Sequence, residues 1–203
     1  MPTTPRETIR AVSPSLLSAT TSTLRRLGPR QFNLTAVAEF AGVSRGTVHN
    51  AFGNRETALK TALDELATEF ITTIAAEIRE QRTLAEQVAA AANLICEHRR
   101  TSDPLGPRGF NQSLVVLLLE NFGEELIQRS ISLWAPLVRA AQDSGEVGAA
   151  VKPRHGAEWI VRVLFSFELL PPIVVNLDSP RMLRHFVSDH IVAGLTGDGR
   201  RDG

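Results

Sequence analysis

The sequence of 203 residues has a single cysteine and no net charge, with 22 basic and 22 acidic side chains. One cysteine, Cys96, excludes an internal disulfide framework and a cysteine-built zinc finger. No apolar run approaches the roughly 18 residues of a membrane span, so no transmembrane helix is expected. The start, Met1 to Glu7, is polar and holds two prolines, unlike a signal peptide. A cytoplasmic protein is therefore expected. Low-complexity bias is missing as well: 43% of the residues are hydrophobic, ordinary for a globular protein. The length suits one domain or two small ones with a sizeable core. No phosphate loop, Rossmann fingerprint or serine elbow is present. Cys96 and His98 do not share a helical face. Glu124 with Glu125, and Asp189 with His190, are adjacent and diverge on a helix. No metal site, cofactor or catalytic constellation follows from them, and an enzyme is not expected.

What is present is uneven. Residues 1–60 carry a net charge of +5 and the remaining residues −5. Such a split points to a basic N-terminal module that meets a polyanion and an acidic remainder that does not.

The pattern is helical almost throughout, with apolar residues at three- and four-residue spacing and no two-residue alternation. A first helix is expected from Ser13 to Leu27, stopped by Gly28-Pro29. Asn33 can cap a second over Leu34–Ala41, and Ser44 a third over Arg45–Phe52. The stripe Leu59, Leu63, Leu66, Phe70, Ile74, Ile78 marks a long helix over Arg55–Gln81. Further helices are expected at Thr83–Arg99, Phe110–Asn121, Glu124–Gln142, Arg154–Leu170 and Ser179–Leu195. Loops cover Thr101–Gly109 and Asp143–Pro153, and Ile173-Val174-Val175 is expected to pack inside a helix–helix connection. The expected fold is all-α with about nine helices. The expected boundaries are 1–54 for a helix-turn-helix domain, 55–196 for a helical ligand-binding and dimerisation domain, and 197–203 for a disordered tail.

The stretch from Asn33 to Phe52 carries the most chemistry. It reads as two short helices joined by a tight turn, with Val37, Val43 and Val48 as their small core. Gly42 leaves the first helix where positive φ is needed. Val48 and Phe52 turn inward, so Arg45, His49 and Asn50 share the outward face. This is a helix-turn-helix whose second helix offers hydrogen-bonding side chains to a major groove. Gly46 weakens that helix by roughly 1 kcal/mol relative to alanine, an odd choice unless something must approach closely.

Residues 16–59 resemble the TetR family of transcriptional regulators. Leu16-Leu17-Ser18-Ala19 opens the family pattern and Gly28 closes its first helix. Val37-Ala38, Ala41-Gly42-Val43-Ser44, Gly46-Thr47, Phe52, Arg55 and Leu59 follow without a gap. The later stretch Ala157–Arg162 followed by Pro171-Pro172 resembles actinobacterial members. The resemblance implies that Thr35, Arg45, Gly46 and Thr47 face bases or phosphates of double-stranded DNA. Asn33, Ser44, His49 and Asn50 lie beside them. Arg55 stands for the usual lysine and should meet a phosphate. His49 and Asn50 depart from the usual aromatic pair, and Thr23 stands where an apolar residue is usual.

For the second domain the resemblance implies a cavity for a small-molecule effector among the helices from 55 to 142. Candidate lining residues are Phe70, Ile74, Ile95, His98, Phe110, Leu114, Leu118, Phe122 and Trp134. Few charges lie on these faces, so a mostly apolar effector is expected. The faces of the last two helices suit a four-helix homodimer interface through Trp159, Val163, Phe167, Leu183, Phe186, Val187 and His190. The expected function is a ligand-responsive repressor that binds a palindromic operator as a dimer. The alternative is a helical small-molecule-binding protein whose N-terminal hairpin is only structural.

Overall fold

The structure is a computed structural model describing residues 12–102 and 114–196. The expected loop at 103–109 and the tail at 197–203 lie outside the described residues. Among the described residues there are eight α-helices: α1 (Pro14–Gln31), α2 (Leu34–Ala41), α3 (Arg45–Phe52), α4 (Arg55–Arg79), α5 (Leu84–Ser102), α6 (Leu114–Asp143), α7 (Pro153–Leu169) and α8 (Pro180–Phe186). The chain divides into two compact units, residues 1–68 and 69–203.

In the first unit α1 packs on α2 and α2 on α3. Ser13 caps α1, its Oγ accepting from Leu16 N. Three buried threonines on α1 return their hydroxyls to the backbone: Thr20 to the Leu16 carbonyl at 2.6 Å, Thr21 to Ser18 at 2.9 Å and Thr23 to Ala19 at 2.7 Å. Thr23 is thus buried with its hydroxyl satisfied, which removes the desolvation cost of placing it where an apolar residue is usual. Gly28 (φ 68°, ψ 170°) kinks α1, and one more turn follows before Phe32. Gly42 (φ 65°, ψ 30°) ends α2 in the left-handed region. A Cβ at either glycine would meet nothing within 4 Å, so substitution costs only backbone strain. Gly28→Ala should lose about 1–3 kcal/mol, because its φ and ψ belong essentially to glycine alone. Gly42→Ala should lose less, about 1–2 kcal/mol, for one residue held in the left-handed helical region. Urea unfolding of the two variants reads the difference, and a larger loss at Gly42 would refute this ranking.

In the second unit α6 packs along α7, and α5 packs against α7 and α8. Its core includes Val88, Ile95, Trp134, Val138, Ile160, Leu183 and Ile191, all nearly inaccessible to solvent. Each buried aliphatic or aromatic side chain of this size contributes about 1.5–3 kcal/mol before the cost of ordering the chain. Cys96 belongs to this core, and burial pushes its thiol up from its ordinary value. Two charged side chains tie the layers. Glu146 accepts from the Leu84 and Ala85 amides, both at 2.8 Å, capping the N-terminus of α5. Arg99 of α5 donates to the Phe167 carbonyl at 2.8 Å and to Asp178 Oδ1 at 2.9 Å, fixing the end of α7 and the connection beyond it.

Three expectations are corrected here. The two helices expected at 110–121 and 124–142 are one bent helix, α6, with its irregular residue at Phe122 (φ −138°, ψ 19°). The helix expected at Ser179–Leu195 begins as α8, passes into a π-helical turn over Val187–Val192 and ends in a 3-10 turn. Ile173 and Val174 lie in the α7–α8 connection but do not pack inside it: they are 90% and 93% exposed.

Candidate nucleic-acid interface and effector cavity

The helix-turn-helix is held by side chains that complete its helix ends. Asn33 Oδ1 accepts from Ala36 N at 2.9 Å while its Nδ2 donates to the Gln31 carbonyl at 2.9 Å. At the far end of α2 the Gly42 and Val43 amides donate back to the Glu39 and Ala38 carbonyls at 3.3 and 3.1 Å. Ser44 Oγ accepts from Thr47 N at 3.1 Å and lies 2.9 Å from the Thr47 hydroxyl. Asn54 Oδ1 caps α4 through Thr57 N at 2.8 Å. Asn33 and Ser44 therefore serve first as caps.

Ala36, Val37, Ala38, Val48 and Phe52 form the buried side of this pair. Val43 does not join them, being 39% exposed: the turn after Gly42 carries it outward. Arg45, Gly46, Thr47, His49 and Asn50 are all exposed on α3, and Thr35 at the start of α2 is half-buried. With about 100° of rotation per residue, Gly46 and Asn50 fall at the centre of the exposed arc. Arg45 and His49 flank it on one side and Thr47 on the other. Arg26 of α1 lies over the Phe40 ring at 4.8 Å from its centroid, a cation–π contact on the same unit.

Arg55 has a role that the sequence did not indicate. Its Nε donates to the Phe32 carbonyl at 2.8 Å and its Nη2 to the Pro29 carbonyl at 2.5 Å. It thereby satisfies carbonyls left open at the C-terminal end of α1. A guanidinium has five N–H donors, so donors remain for a further acceptor.

In the second unit α4, α5, α6 and α7 enclose a cavity. It is small and open at its mouth: the centre of a water-sized sphere can move through about 30 Å³ of it. Its lining is Phe70 and Ile74 of α4, Ile95 of α5, Ser130 and Trp134 of α6, and Val161, Leu164, Phe165 and Glu168 of α7. Four expected residues are here: Phe70, Ile74, Ile95 and Trp134. His98 borders the site without lining it, its ring 6.0 Å from Phe70 and its Nδ1 3.5 Å from Glu168 Oε1. Leu118 is buried and Phe122 half-buried, but neither lines the cavity. Phe110 lies outside the described residues, as does the side chain of Leu114. The α7 wall is not among the expected lining residues, because in the sequence its apolar face suits a dimer contact equally well. Among the described residues, no three His, Cys, Asp or Glu side chains are grouped to hold a metal ion, and no helix is long and apolar enough to cross a membrane.

Neither a protein-family model nor any curated protein matches the sequence. Solved structures match the fold. The TetR family repressor AlkX from Dietzia sp., implicated in biodegradation of n-alkanes, aligns at TM-score 0.57 and 21% identity over 89% of this chain and 96% of that one. The TetR family regulator CifR, a cysteine mutant complexed with 26-base-pair operator DNA, aligns at TM-score 0.60 and 19% identity over 95% and 100%. The regulator FadR from Bacillus subtilis, in complex with stearoyl-CoA, aligns at TM-score 0.57 and 17% identity over 86% and 97%. The fold is that of the TetR-family regulators. The resemblance read in residues 16–59 thus extends, as architecture, over most of the chain.

The last two helices of this TetR fold do not present every residue expected at a dimer contact. Phe167, Leu183 and Val187 are buried within the chain, at most 4% exposed, because α7, α8 and the π-helical turn close over α5. They serve the core, and their side chains are not offered to a second copy. Trp159 is 43% exposed, although its indole Nε1 donates to the Ile191 carbonyl at 3.3 Å. Val163 and Phe186 are half-buried and His190 is exposed, its ring 4.9 Å from Phe186.

Proposed function

We propose that the protein is a ligand-responsive transcriptional repressor acting as a cytoplasmic homodimer. Each subunit would lay α3 in the major groove of one half of a palindromic operator. A small effector in the cavity of the second unit would favour a spacing of the two α3 helices that no longer fits. The observation that carries this reading is the exposed arc of α3. Arg45, Gly46, Thr47, His49 and Asn50 all face solvent, opposite Val48 and Phe52, on a helix capped at its start by Ser44. Side chains able to read base edges are thereby mounted on a short, rigid element. The structural likeness to CifR, solved with operator DNA, supports it. Exposed Trp159, Leu170 and Met182 on and after α7 support pairing of two copies.

A gel shift with the DNA upstream of the protein's own gene tests the reading. A complex that survives unrelated competitor DNA is expected. Failure to retard any DNA would leave the alternative, a small-molecule-binding protein with a structural hairpin.

Gly46 offers a sharper test. A Cβ there would meet only Ser44 Oγ, at 3.6 Å, an ordinary contact. Gly46→Ala should therefore stabilise the free protein by about 0.5–1 kcal/mol through helix propensity. At the centre of the exposed arc the added methyl should obstruct DNA, so operator affinity should fall while the melting temperature rises. A stabilised variant with unchanged affinity would remove Gly46 from the contact.

A further inference from the structure

The cavity is not purely apolar. Glu168 lines it, and the side chain is only 8% exposed. One carboxylate oxygen, Oε1, lies 3.5 Å from His98 Nδ1, longer than the roughly 2.7–2.9 Å of a charge-assisted hydrogen bond. The other, Oε2, is buried and accepts no hydrogen bond among the described residues. An acceptor left this way carries the full cost of its lost hydration. The second polar side chain of the lining, Ser130, spends its hydroxyl hydrogen on the Leu126 carbonyl at 2.8 Å. What it has left to offer is a lone pair. The Trp134 indole is the one remaining side-chain donor of the lining.

From this we infer that the cavity selects a hydrophobic amine: a compact apolar body with one protonated nitrogen that donates to Glu168 Oε2. The aromatic rings of Phe70, Trp134 and Phe165 suit both parts of such a ligand, since their faces attract a cation and their bodies bury hydrocarbon. A carboxylate of the same shape would meet the Glu168 charge and be rejected. The inference deepens the effector reading of this cavity and rests on it, and it changes the expected effector from mostly apolar to apolar with a cationic head.

The test is isothermal titration of the full-length protein, without DNA, against three probes of one shape: 4-phenylbutylamine, 4-phenylbutan-1-ol and 4-phenylbutyric acid. At neutral pH the amine should bind at least tenfold more tightly than the alcohol, and the acid should not bind measurably. Glu168→Gln keeps the shape, removes the charge, and should abolish the preference for the amine over the alcohol. Wild-type protein alone can overturn the inference: an amine that binds no better than the alcohol, or no binding by any probe, sinks it. So does a Glu168→Gln variant that keeps the tenfold preference. Because the titration contains no DNA, its failure beside a successful gel shift would strike only the chemistry assigned to the cavity. A failed gel shift beside selective amine binding would strike the repressor reading instead.

Discussion

Operator affinity should fall by about a thousandfold as salt rises from roughly 50 to 200 mM, the loss expected when about six phosphates are neutralised. Arg25, Arg26 and Arg55 of each subunit would supply those six cations in a dimer, in the unit whose sequence carries the positive excess. The three stand differently. Arg25 and Arg26 are exposed on α1, and Arg26 is oriented by the Phe40 ring. Arg55 is held by two carbonyls, from Pro29 and Phe32. A held guanidinium loses less rotamer freedom on meeting a phosphate, which favours it as a contact. Arg55→Ala should therefore do two things at once. It should lower the salt slope by about two for a dimer. It should also loosen the end of α1, by about 1–3 kcal/mol for the two charge-assisted hydrogen bonds lost there. Arg26→Ala should reduce the slope with a smaller loss of stability. Affinity measured against salt for the three proteins, beside their urea midpoints, separates these effects. An affinity that stays flat across this salt range would refute the phosphate contacts and, with them, the reading of a DNA-bound module.

The helix-turn-helix was legible because its boundaries are set by local chemistry. Asn33, Ser44 and Asn54 each have a side-chain oxygen that completes a helix start, and Gly42 takes a backbone conformation that other residues resist. Such signals act over three or four residues and need no knowledge of the rest of the fold. Where position depends on packing, the sequence was a poorer guide. Val43 looks like a core valine, yet the turn that places it is set by the meeting of α2 and α3. Phe122-Gly123 looks like a break, yet α6 continues through it with one irregular residue. The π-helical turn at Val187–Val192 has no propensity signature. Val187, Ile191 and Val192 are buried there, but a regular helix would show the same spacing.

The cavity was half legible for a related reason. Phe70, Ile74, Ile95 and Trp134 were visible as apolar positions on helices that had to surround something. The α7 wall was not, because an apolar helical face reads the same whether it meets a core, a cavity or a second copy. Glu168 was the hardest to see. A single glutamate near the end of a helix ordinarily faces water, and only the tertiary packing makes it 8% exposed beside a cavity. The residue that gives the site its chemical character is therefore one that composition and periodicity pass over.

Arg45→Ala should weaken operator binding by about fivefold to 150-fold, the equivalent of about 1–3 kcal/mol for one bidentate base contact. Arg45 is the first residue of α3, exposed, and makes no hydrogen bond or ion pair among the described residues. Its removal should leave the stability of the free protein within about 0.5 kcal/mol of wild type. The side chain has the reach and the fork to meet O6 and N7 of a guanine, so the loss should fall on one base position per half-site. Sequences selected by the variant should then tolerate any base at that position and keep their preferences elsewhere. Arg45→Lys should fall between the two, retaining the charge and losing the paired geometry. This pattern differs from that of a phosphate contact, whose loss weakens all sequences alike and lowers the salt slope. If Arg45→Ala lowers affinity uniformly across sequences, Arg45 is a backbone contact, and base reading passes to His49 and Asn50 further along the same exposed arc.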